Sequence, residues 1–252
     1  MIPLKDQEYL RERFARELVS QVRIDFFTQK ESSIFVPGRQ PCQYCKPTRQ
    51  MLEEVAALSD LISLRQHTID ENREVFARYA VDKIPAVVLP AGDGRWLKYY
   101  GLPGGHEFLT LVETIIDLSR GERLLADGVR KRLRKLKKDV LIQVFVTPSC
   151  PYCPQMARLA YHMALESPHI TAEVIEAQEF PELSKRFNVR AVPTTVVDGK
   201  TTIPGAVPDT VLMDIIERVA QPAGLAEAAP EAGPTTPTEQ PKAAASGKII
   251  LP

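Results

Sequence analysis

The sequence predicts an α/β protein made of two tandem units, each with a mixed central sheet flanked by helices. Three observations indicate this fold class. A length of 252 residues suffices for two domains of roughly 100 to 150 residues. Apolar patterning gives each half the same order of strand, helix, strand, helix, hairpin and helix. Three landmarks also recur at one offset of 108 residues, with Cys42, Cys45 and Pro85 corresponding to Cys150, Cys153 and Pro193.

The repeat also predicts the domain boundaries. Residues 1–120 form the predicted N-terminal domain and residues 121–220 the predicted C-terminal domain. From Gln221 onward Ala, Pro, Thr, Gly and Glu dominate, which predicts a disordered tail over residues 221–252. The segment from Gln29 to Pro41 separates the first predicted strand from Cys42, and the second half has no such insertion. Its apolar tip, residues 34–38, is predicted to be a packed surface loop, with a substrate or partner contact as the alternative.

The first half begins with a predicted helix over residues 5–20, because Leu10, Phe14 and Leu18 share one face among charged residues. Alternating apolar residues over 22–26 predict the first strand. The same patterns predict the remaining elements, which are a helix from Cys45 through Leu58, a strand over 61–69, a helix over 71–79, a hairpin of residues 86–89 and 96–100 that turns at Asp93 and Gly94, and a helix over 106–119.

The second half repeats this order. Leu125, Val129, Leu133 and Leu136 have helical spacing and predict a counterpart of the N-terminal helix. The apolar run over 140–146 is typical of a strand covered by helices on both faces. The remaining predicted elements are a helix with Met156, Leu159, Ala160 and Met163 on one face, a strand over 171–175, a helix over 182–187, a hairpin over 194–203 and a helix over 207–219.

Cys150 and Cys153 are predicted to carry redox chemistry. They lie where a buried strand gives way to a helix, so unpaired backbone N–H groups and the positive end of the helix dipole favour a thiolate at Cys150. A thiolate attacks disulfides, and Cys153, one turn further along, can then attack the mixed disulfide on Cys150. The two residues are therefore expected to close as a disulfide of the enzyme.

Composition excludes several classes of function. Lys and Arg number 32, as do Asp and Glu, and this zero net charge predicts no broad attraction to nucleic acid or anionic lipid. The basic run over 130–138 is interpreted as the solvated face of a helix, because an apolar stripe runs through it and no aromatic residues interleave it. No apolar run is long enough to span a membrane, and the first residues lack the apolar core of a secretory signal. We therefore expect a cytoplasmic protein.

Metal binding is the main alternative, because paired cysteines in a reducing compartment are usually redox or metal sites. A structural zinc site needs four converging ligands, and pairs 108 residues apart in separate units are not expected to converge. We predict no metal site and assign no role to the four histidines, His67, His106, His162 and His169.

The chain resembles the protein disulfide oxidoreductases known from thermophilic archaea and bacteria. The resemblance covers about residues 5–220 and lies in the tandem CQYC and CPYC motifs, each followed by an apolar–Pro pair before a hairpin, and in residues 101–108, GLPGGHEF. It implies two thioredoxin-fold units, Cys42 and Cys150 as attacking thiols, and Cys45 and Cys153 as resolving thiols. It also implies protein disulfides as substrates, no bound cofactor, and electrons from an NADPH-dependent flavoprotein of the thioredoxin reductase type.

Two related functions stay open beside this resemblance. CPYC is typical of glutaredoxins, some of which hold an iron–sulfur cluster with glutathione. The tandem domain that passes electrons to a peroxidase from within a larger flavoprotein is also similar, although it has one intact cysteine pair where this chain has two.

Pro85 and Pro193 are predicted to follow cis peptide bonds, because a cis X-Pro bond is uncommon and both prolines lie 43 residues after the first cysteine of their half. The family resemblance implies that the backbone of Ile84 and Val192 then lies beside the disulfide. There an extended substrate could pair with it as an added strand.

The two sites are predicted to be unequal, with the Cys150 site carrying most of the turnover. Pro151 is expected at the first helical position, where it would stiffen the turn, whereas Gln43 is its counterpart at the first site. The insertion is expected to cover Cys42, and residues 147–149 to leave Cys150 open. Access and thiolate character together govern exchange rates.

Overall fold

The computed structural model describes residues 2–30, 41–92 and 94–221. The predicted apolar tip of the insertion, the turn residue Asp93 and all but the first residue of the predicted tail lie outside these ranges. Every other predicted helix and strand is present, with ends that differ from the prediction by a few residues. No described helix is long and apolar enough to cross a membrane.

The first half follows the predicted order. Its elements are α1 (Leu4–Glu17), β1 (Val22–Thr28), α2 (Cys45–Ala56), β2 (Ile62–Thr68), α3 (Arg73–Arg78), β3 (Ala86–Pro90), β4 (Trp96–Tyr100) and α4 (His106–Arg120).

The second half repeats it. Its elements are α5 (Asp127–Leu133), β5 (Val140–Val146), α6 (Cys153–Glu166), β6 (Ile170–Glu176), α7 (Pro181–Arg186), β7 (Thr194–Val197), β8 (Thr201–Pro204) and α8 (Asp209–Ala220). Helix α5 is shorter than the predicted stripe, which extended from Leu125 to Leu136.

The predicted mixed sheets flanked by helices are confirmed, and they join into one sheet of eight strands in the order β2-β1-β3-β4-β6-β5-β7-β8. The junction is a parallel pairing of β4 with β6, in which Tyr99 lies opposite Val174. A buried ion pair between Lys98 and Glu173, 2.8 Å apart, crosses it. The predicted boundary near residue 120 falls at the end of α4, and we keep the division into domains as a proposal.

Strand directions place both cysteine motifs at the same edge of the sheet. Strands β1, β2, β4, β5, β6 and β8 run one way, and β3 and β7 run the other way. The motifs follow β1 and β5, so both begin beyond carboxyl ends at one edge. Four strand spacings separate these ends, which is about 19 Å.

The core is continuous across the two halves. One cluster of buried side chains extends from Leu10 and Phe14 on α1 to Ile216 on α8, and includes Cys150 and Cys153. A smaller cluster on the opposite face of the sheet packs under α3 and α7. Because β4, β6 and the helices around them share the larger cluster, the halves pack as one structure.

The basic run over residues 130–138 contributes to this packing. Arg130 and Arg134 both pair with Glu166 at the end of α6, and Arg132 pairs with Asp214 and Glu217 on α8. These arginines bind carboxylates of the same chain. Helix α5 ends at Leu133, so most of the run lies beyond the helix whose solvated face it was expected to form.

Candidate thiol–disulfide sites

Each cysteine pair forms a disulfide at the start of a helix. The Cys42–Cys45 and Cys150–Cys153 disulfides have Cα–Cα distances of 5.4 and 5.5 Å, within the usual range. In both halves the second cysteine is the first residue of the following helix. The first cysteine lies in the preceding turn, where the N–H of Cys150 donates to the carbonyl of Thr147 at 3.1 Å.

This geometry corrects the expected place of Pro151. Helix α6 begins at Cys153, so its second residue is Pro154, and Pro151 lies in the turn before the helix. Proline tolerates the first turn because its missing N–H would have no helical partner there. The prediction that Pro151 holds the first helical position is therefore wrong.

The two disulfides are buried to different extents. Cys153 is fully buried and Cys150 is 6% exposed, whereas Cys45 is 4% exposed and Cys42 is partly exposed. Cys42 is thus the more exposed of the two attacking cysteines, the reverse of the expected order, because Cys150 packs into the main core. The insertion that was expected to cover Cys42 lies largely outside the described residues. Tyr152 in the same turn is 58% exposed, so the second motif still presents a side chain to solvent.

The Ile84–Pro85 and Val192–Pro193 bonds are both cis, as predicted. Strand register places the two prolines alike, since Ala86 pairs with Phe27 on β1 and Thr194 pairs with Phe145 on β5. Both prolines are buried, while Ile84 and Val192 keep partial exposure. A substrate contact at Ile84 and Val192 stays a prediction.

A loop from the first half packs directly on the second motif. The N–H of His106 donates to the carbonyl of Pro148 at 2.9 Å, two residues before Cys150. Gly105 makes this approach possible, because a Cβ atom there would lie 2.3 Å from the same oxygen. Its φ of 56° also favours glycine. The start of α4 therefore helps to hold the turn that contains Cys150.

Glu107, in the first turn of α4, is a candidate functional residue that sequence reasoning missed. It is 0% exposed, and neither carboxyl oxygen makes a well-formed hydrogen bond with a described residue. Burial raises its pKa to about 8, a rise that only the Thr110 hydroxyl opposes. The sequence does contain a signal for this residue, because Glu107 is an acidic residue that precedes Phe108 and shares the apolar face of the predicted helix with Leu111.

The Glu107 carboxyl lies on the same side of the sheet as the second disulfide. Burial, together with the Glu107 charge, holds the pKa of Tyr99 and of Tyr161 well above its usual value. Both tyrosines belong to the core cluster that contains Cys150 and Cys153. A buried carboxyl with a pKa near neutrality on this side of the sheet can hold or release a proton.

Metal ligands do not gather in the described part of the chain. No group of three or more His, Cys, Asp or Glu side chains there could hold a metal ion. Two of the described histidines are engaged elsewhere: His67 contacts Asp25 at 3.0 Å, and His162 contacts Asp117 at 3.4 Å.

Comparison with known proteins indicates a fold that other redox proteins share. Residues 140–217 match the thioredoxin domain family. A protein disulfide oxidoreductase from Aeropyrum pernix k1 is 28% identical, with a TM-score of 0.78 over 86% of this chain and 93% of that chain. The chain is a tandem thioredoxin-fold protein. The resemblance drawn from its motifs is thereby confirmed.

A second group of similar proteins is named for peroxide metabolism. The N-terminal domain of the alkyl hydroperoxide reductase AhpF from Enterococcus faecalis is 26% identical, with a TM-score of 0.74 over 86% of this chain and all of that chain. An alkyl hydroperoxide reductase protein of Xanthomonas campestris pv. phaseoli is 27% identical over 60% of this chain, and one of Staphylococcus aureus is 23% identical over 72%. The chain spans only 27% and 33% of these two curated relatives.

Proposed function

We propose that this protein is a cytoplasmic protein disulfide oxidoreductase that works through thiol–disulfide exchange. The observation that carries the proposal is the pair of Cys-x-x-Cys disulfides, each at the start of a helix, together with a cis proline at the matching position of each half. Cys150 and Cys42 are proposed as attacking thiols, and Cys153 and Cys45 as resolving thiols. An NADPH-dependent flavoprotein of the thioredoxin reductase type is proposed as the electron donor.

At the second site the proposed reaction begins with the Cys150 thiolate. It attacks one sulfur of a substrate disulfide, so a mixed disulfide forms and one substrate thiolate leaves. The Cys153 thiol gives its proton to the Glu107 carboxylate, and its sulfur then attacks Cys150 and releases the second thiolate. Two electrons pass to the substrate, whose thiolates take up protons, and the enzyme ends as the disulfide with Glu107 protonated.

Glu107 suits both directions of this exchange. With its pKa at about 8, the carboxyl holds a proton at neutral pH in the disulfide form. When a donor reduces the disulfide, that proton is available for the Cys153 thiolate as it forms. When the dithiol reacts, the same carboxylate can take the proton back.

Trapping the mixed disulfide tests the proposal. Cys153→Ser should accumulate a covalent complex between Cys150 and disulfide-bonded insulin, because the resolving thiol is missing. Cys150→Ser is the matched control and should trap nothing at this site. If the purified protein carried stoichiometric zinc or iron and formed no mixed disulfide, a metal-binding module would replace the oxidoreductase.

An electron relay to a peroxidase is the second candidate, because the curated relatives are reductase proteins named for alkyl hydroperoxides. In that role the chain would receive electrons from a flavoprotein and reduce the disulfide of a peroxiredoxin. The two functions separate in one assay. Equal amounts of insulin and an oxidised two-cysteine peroxiredoxin compete for the reduced protein, and the substrate with the larger kcat/KM identifies the function.

A further inference from the structure

An exposed apolar groove lies beside the second cysteine motif. Its volume is about 410 Å³, within the range of about 300 to 1,000 Å³ that binding clefts usually have. Helices α4 and α6, the connection between α4 and α5, and the turn before α8 form its walls. The apolar part of its lining consists of Leu109, Leu124, Pro154, Leu159, Val207 and Pro208.

The groove exposes large apolar side chains to solvent. Leu109 is 42% exposed and Leu124 is 56% exposed. Exposed apolar side chains that gather in a groove, rather than lying singly, usually mark a surface that another segment or molecule covers. Pro154 and Gln155, the two residues after Cys153, also line the groove. Its occupant therefore lies against the start of the helix that carries Cys153.

One carboxylate at the groove lacks a cationic partner. Asp209, the first residue of α8, accepts the backbone N–H groups of Ala126 at 3.1 Å and Thr210 at 2.8 Å, and no described cation pairs with it. The other carboxylate and the arginine of the lining, Glu113 and Arg158, each have a partner of opposite charge at 2.6 and 2.7 Å. The groove thus combines an apolar surface with one negative charge at its edge.

The chain itself contains a segment of matching chemistry. Residues 222–252 lie outside the described ranges, and residues 249–251, Ile-Ile-Leu, are the only run of large apolar residues among them. Lys248 directly precedes this run. All acidic residues of that stretch come before residue 240, so residues 240–252 contain two lysines and no acid. An apolar run beside a cation complements the groove and Asp209.

The length of the chain allows this segment to reach the groove. Helix α8 starts at the groove with Asp209 and has 12 residues, so it ends about 18 Å away. Lys248 lies 27 residues beyond Gln221, and a stretch of that length can span up to about 90 Å. Because the segment belongs to the same chain, its effective concentration at the groove is high, which favours docking of a short apolar run.

We propose that residues 248–251 dock in this groove, with the apolar side chains against Leu109 and Leu124 and with Lys248 beside Asp209. The docked segment covers the start of α6 and so limits the access of protein substrates to the second disulfide. This limit on access rests on the proposed function, whereas the docking itself does not.

Methyl NMR of the oxidised full-length protein tests the docking without any substrate. Nuclear Overhauser contacts should connect the methyl groups of Ile249 and Ile250 with those of Leu109 and Leu124. Ile249→Ser/Ile250→Ser/Leu251→Ser should abolish these contacts and shift the methyl signals of the groove, because serine has little apolar surface to bury. Absence of the contacts in the wild type, with groove signals that the triple variant leaves unchanged, would overturn the docking.

Two matched controls accompany these variants. Ala243→Ser/Ala244→Ser/Ala245→Ser places three serines in the same stretch of chain outside the apolar run, and it should leave the contacts intact. Leu109→Ser should weaken the contacts of Ile249 and Ile250 with Leu124. Ile69→Ser should not, since Ile69 is likewise 42% exposed and does not line the groove. Equal effects of Leu109→Ser and Ile69→Ser would show that the segment does not bind the groove.

A charge swap tests the placement of Lys248. Lys248→Glu should weaken the contacts, because it places a second negative charge beside Asp209. Lys248→Glu/Asp209→Lys should restore them. If the double variant stays as weak as Lys248→Glu, the two residues do not meet and the placement is wrong.

Sedimentation and dilution identify the occupant. Docking within one chain should give a monomer whose contacts do not depend on protein concentration. Contacts that are lost on dilution together with a dimer would show that the segment of a second copy fills the groove. If the triple serine variant left the groove signals unchanged and added insulin shifted them, the groove would be a surface for substrate. Either result would overturn docking of the chain's own segment.

Insulin reduction in a Cys42→Ser background measures the effect on the second site. The variant with serine at residues 249–251 should raise kcat/KM at least about threefold, because only the undocked fraction is open to substrate. The variant with serine at residues 243–245 should not. If the NMR contacts are present and the rate is unchanged, the segment docks without limiting access. If no variant reduces insulin, the proposed function fails, and the NMR contacts still decide the docking.

Discussion

The two disulfide sites have the same local geometry and different surroundings. Both lie at the start of a helix, and each half has a cis proline before its hairpin. The N–H of the glycine that follows each hairpin donates to the carbonyl of that proline, Gly101 to Pro85 at 2.9 Å and Gly205 to Pro193 at 2.7 Å. The second site is also contacted by a loop of the neighbouring half, through the hydrogen bond from His106 to Pro148. A site in a repeat protein can therefore depend on its neighbour as much as on its own motif.

The second half has a segment that matches this loop, but the segment lies at the edge of the sheet and does not pack on the other site. Residues 205–211 follow β8 as residues 101–107 follow β4, and Val211 stands where Glu107 does. Val211 is 40% exposed, and none of the first three residues of α8 is buried. Strand β8 is also an edge of the sheet, whereas β4 pairs with β6. A loop of the first half thus supports the turn at the second site. Among the described residues, the matching segment of the second half does not do the same for the first site.

Replacing the attacking cysteines tests this difference most strongly. Cys150→Ser should lower insulin reduction by roughly two orders of magnitude, because the site with a proton acceptor is lost. Cys42→Ser should leave most of the rate. The insulin turbidity assay with dithiothreitol measures both. Equal losses would mean that electrons pass through both pairs, and a larger loss from Cys42→Ser would reverse the ranking.

Glu107→Gln tests the buried carboxyl of the first half through the pH dependence of the free energy of unfolding. The folded-state pKa of about 8 lies above the ordinary value of 4.5, so the native state binds the extra proton between these limits. The contribution of Glu107 to the free energy of unfolding is thus fully present below about pH 4.5 and is lost as pH rises through 8. At roughly 1.36 kcal/mol per pKa unit the full loss is about 5 kcal/mol.

The glutamine variant cannot ionise, so its denaturant midpoint should fall less than that of the wild type between pH 6 and pH 9. Thermal and urea unfolding at both pH values measure the difference. Glu113→Gln on the same helix is a suitable control, since that carboxylate is paired with Arg13 at 2.6 Å. Parallel pH dependence in Glu107→Gln and the wild type would contradict the raised pKa.

Sequence reasoning found the local sites and missed how the halves depend on each other. Cysteine spacing and the matched prolines predicted both motifs and both cis bonds, because these features repeat within each half. Glu107 has no repeat partner, and its burial depends on the pairing of β4 with β6, which no local pattern encodes. The burial of Cys150 was missed for the same reason, since it depends on packing between distant elements.

Gly105→Ala should disturb the second site alone. The new Cβ would overlap the Pro148 carbonyl and adopt a φ of 56°, and together these should cost about 3 kcal/mol of stability. Gly121→Ala is the matched control, because its φ is 68° and nothing lies within 4 Å of the added carbon. It should cost about 1 kcal/mol.

Urea unfolding gives both values, and insulin reduction gives the effect on the site. Gly105→Ala should slow the Cys150 site in a Cys42→Ser background, whereas Gly121→Ala should not. Equal costs from the two alanines would show that the contact with Pro148 is easily relieved and that the loop does not position the turn.

The smallest expected effect is the coupling between the two disulfides. Thiol attack requires contact between sulfurs, yet the strand ends that precede the motifs are about 19 Å apart in one continuous sheet. At that distance one unit of charge changes the other site by about 0.2 kcal/mol in water, and salt reduces this further. With 1.4 kcal/mol corresponding to about 30 mV, the shift is on the order of 5 mV.

The reduction potential of Cys150–Cys153, titrated in glutathione buffers, should therefore be the same in the wild type and in Cys42→Ser/Cys45→Ser. A shift well beyond about 5 mV, the size that charge alone allows, would mean that the redox state of one site changes the structure around the other. Such a coupling would have to pass through the pairing of β4 with β6, which joins the two halves of the sheet.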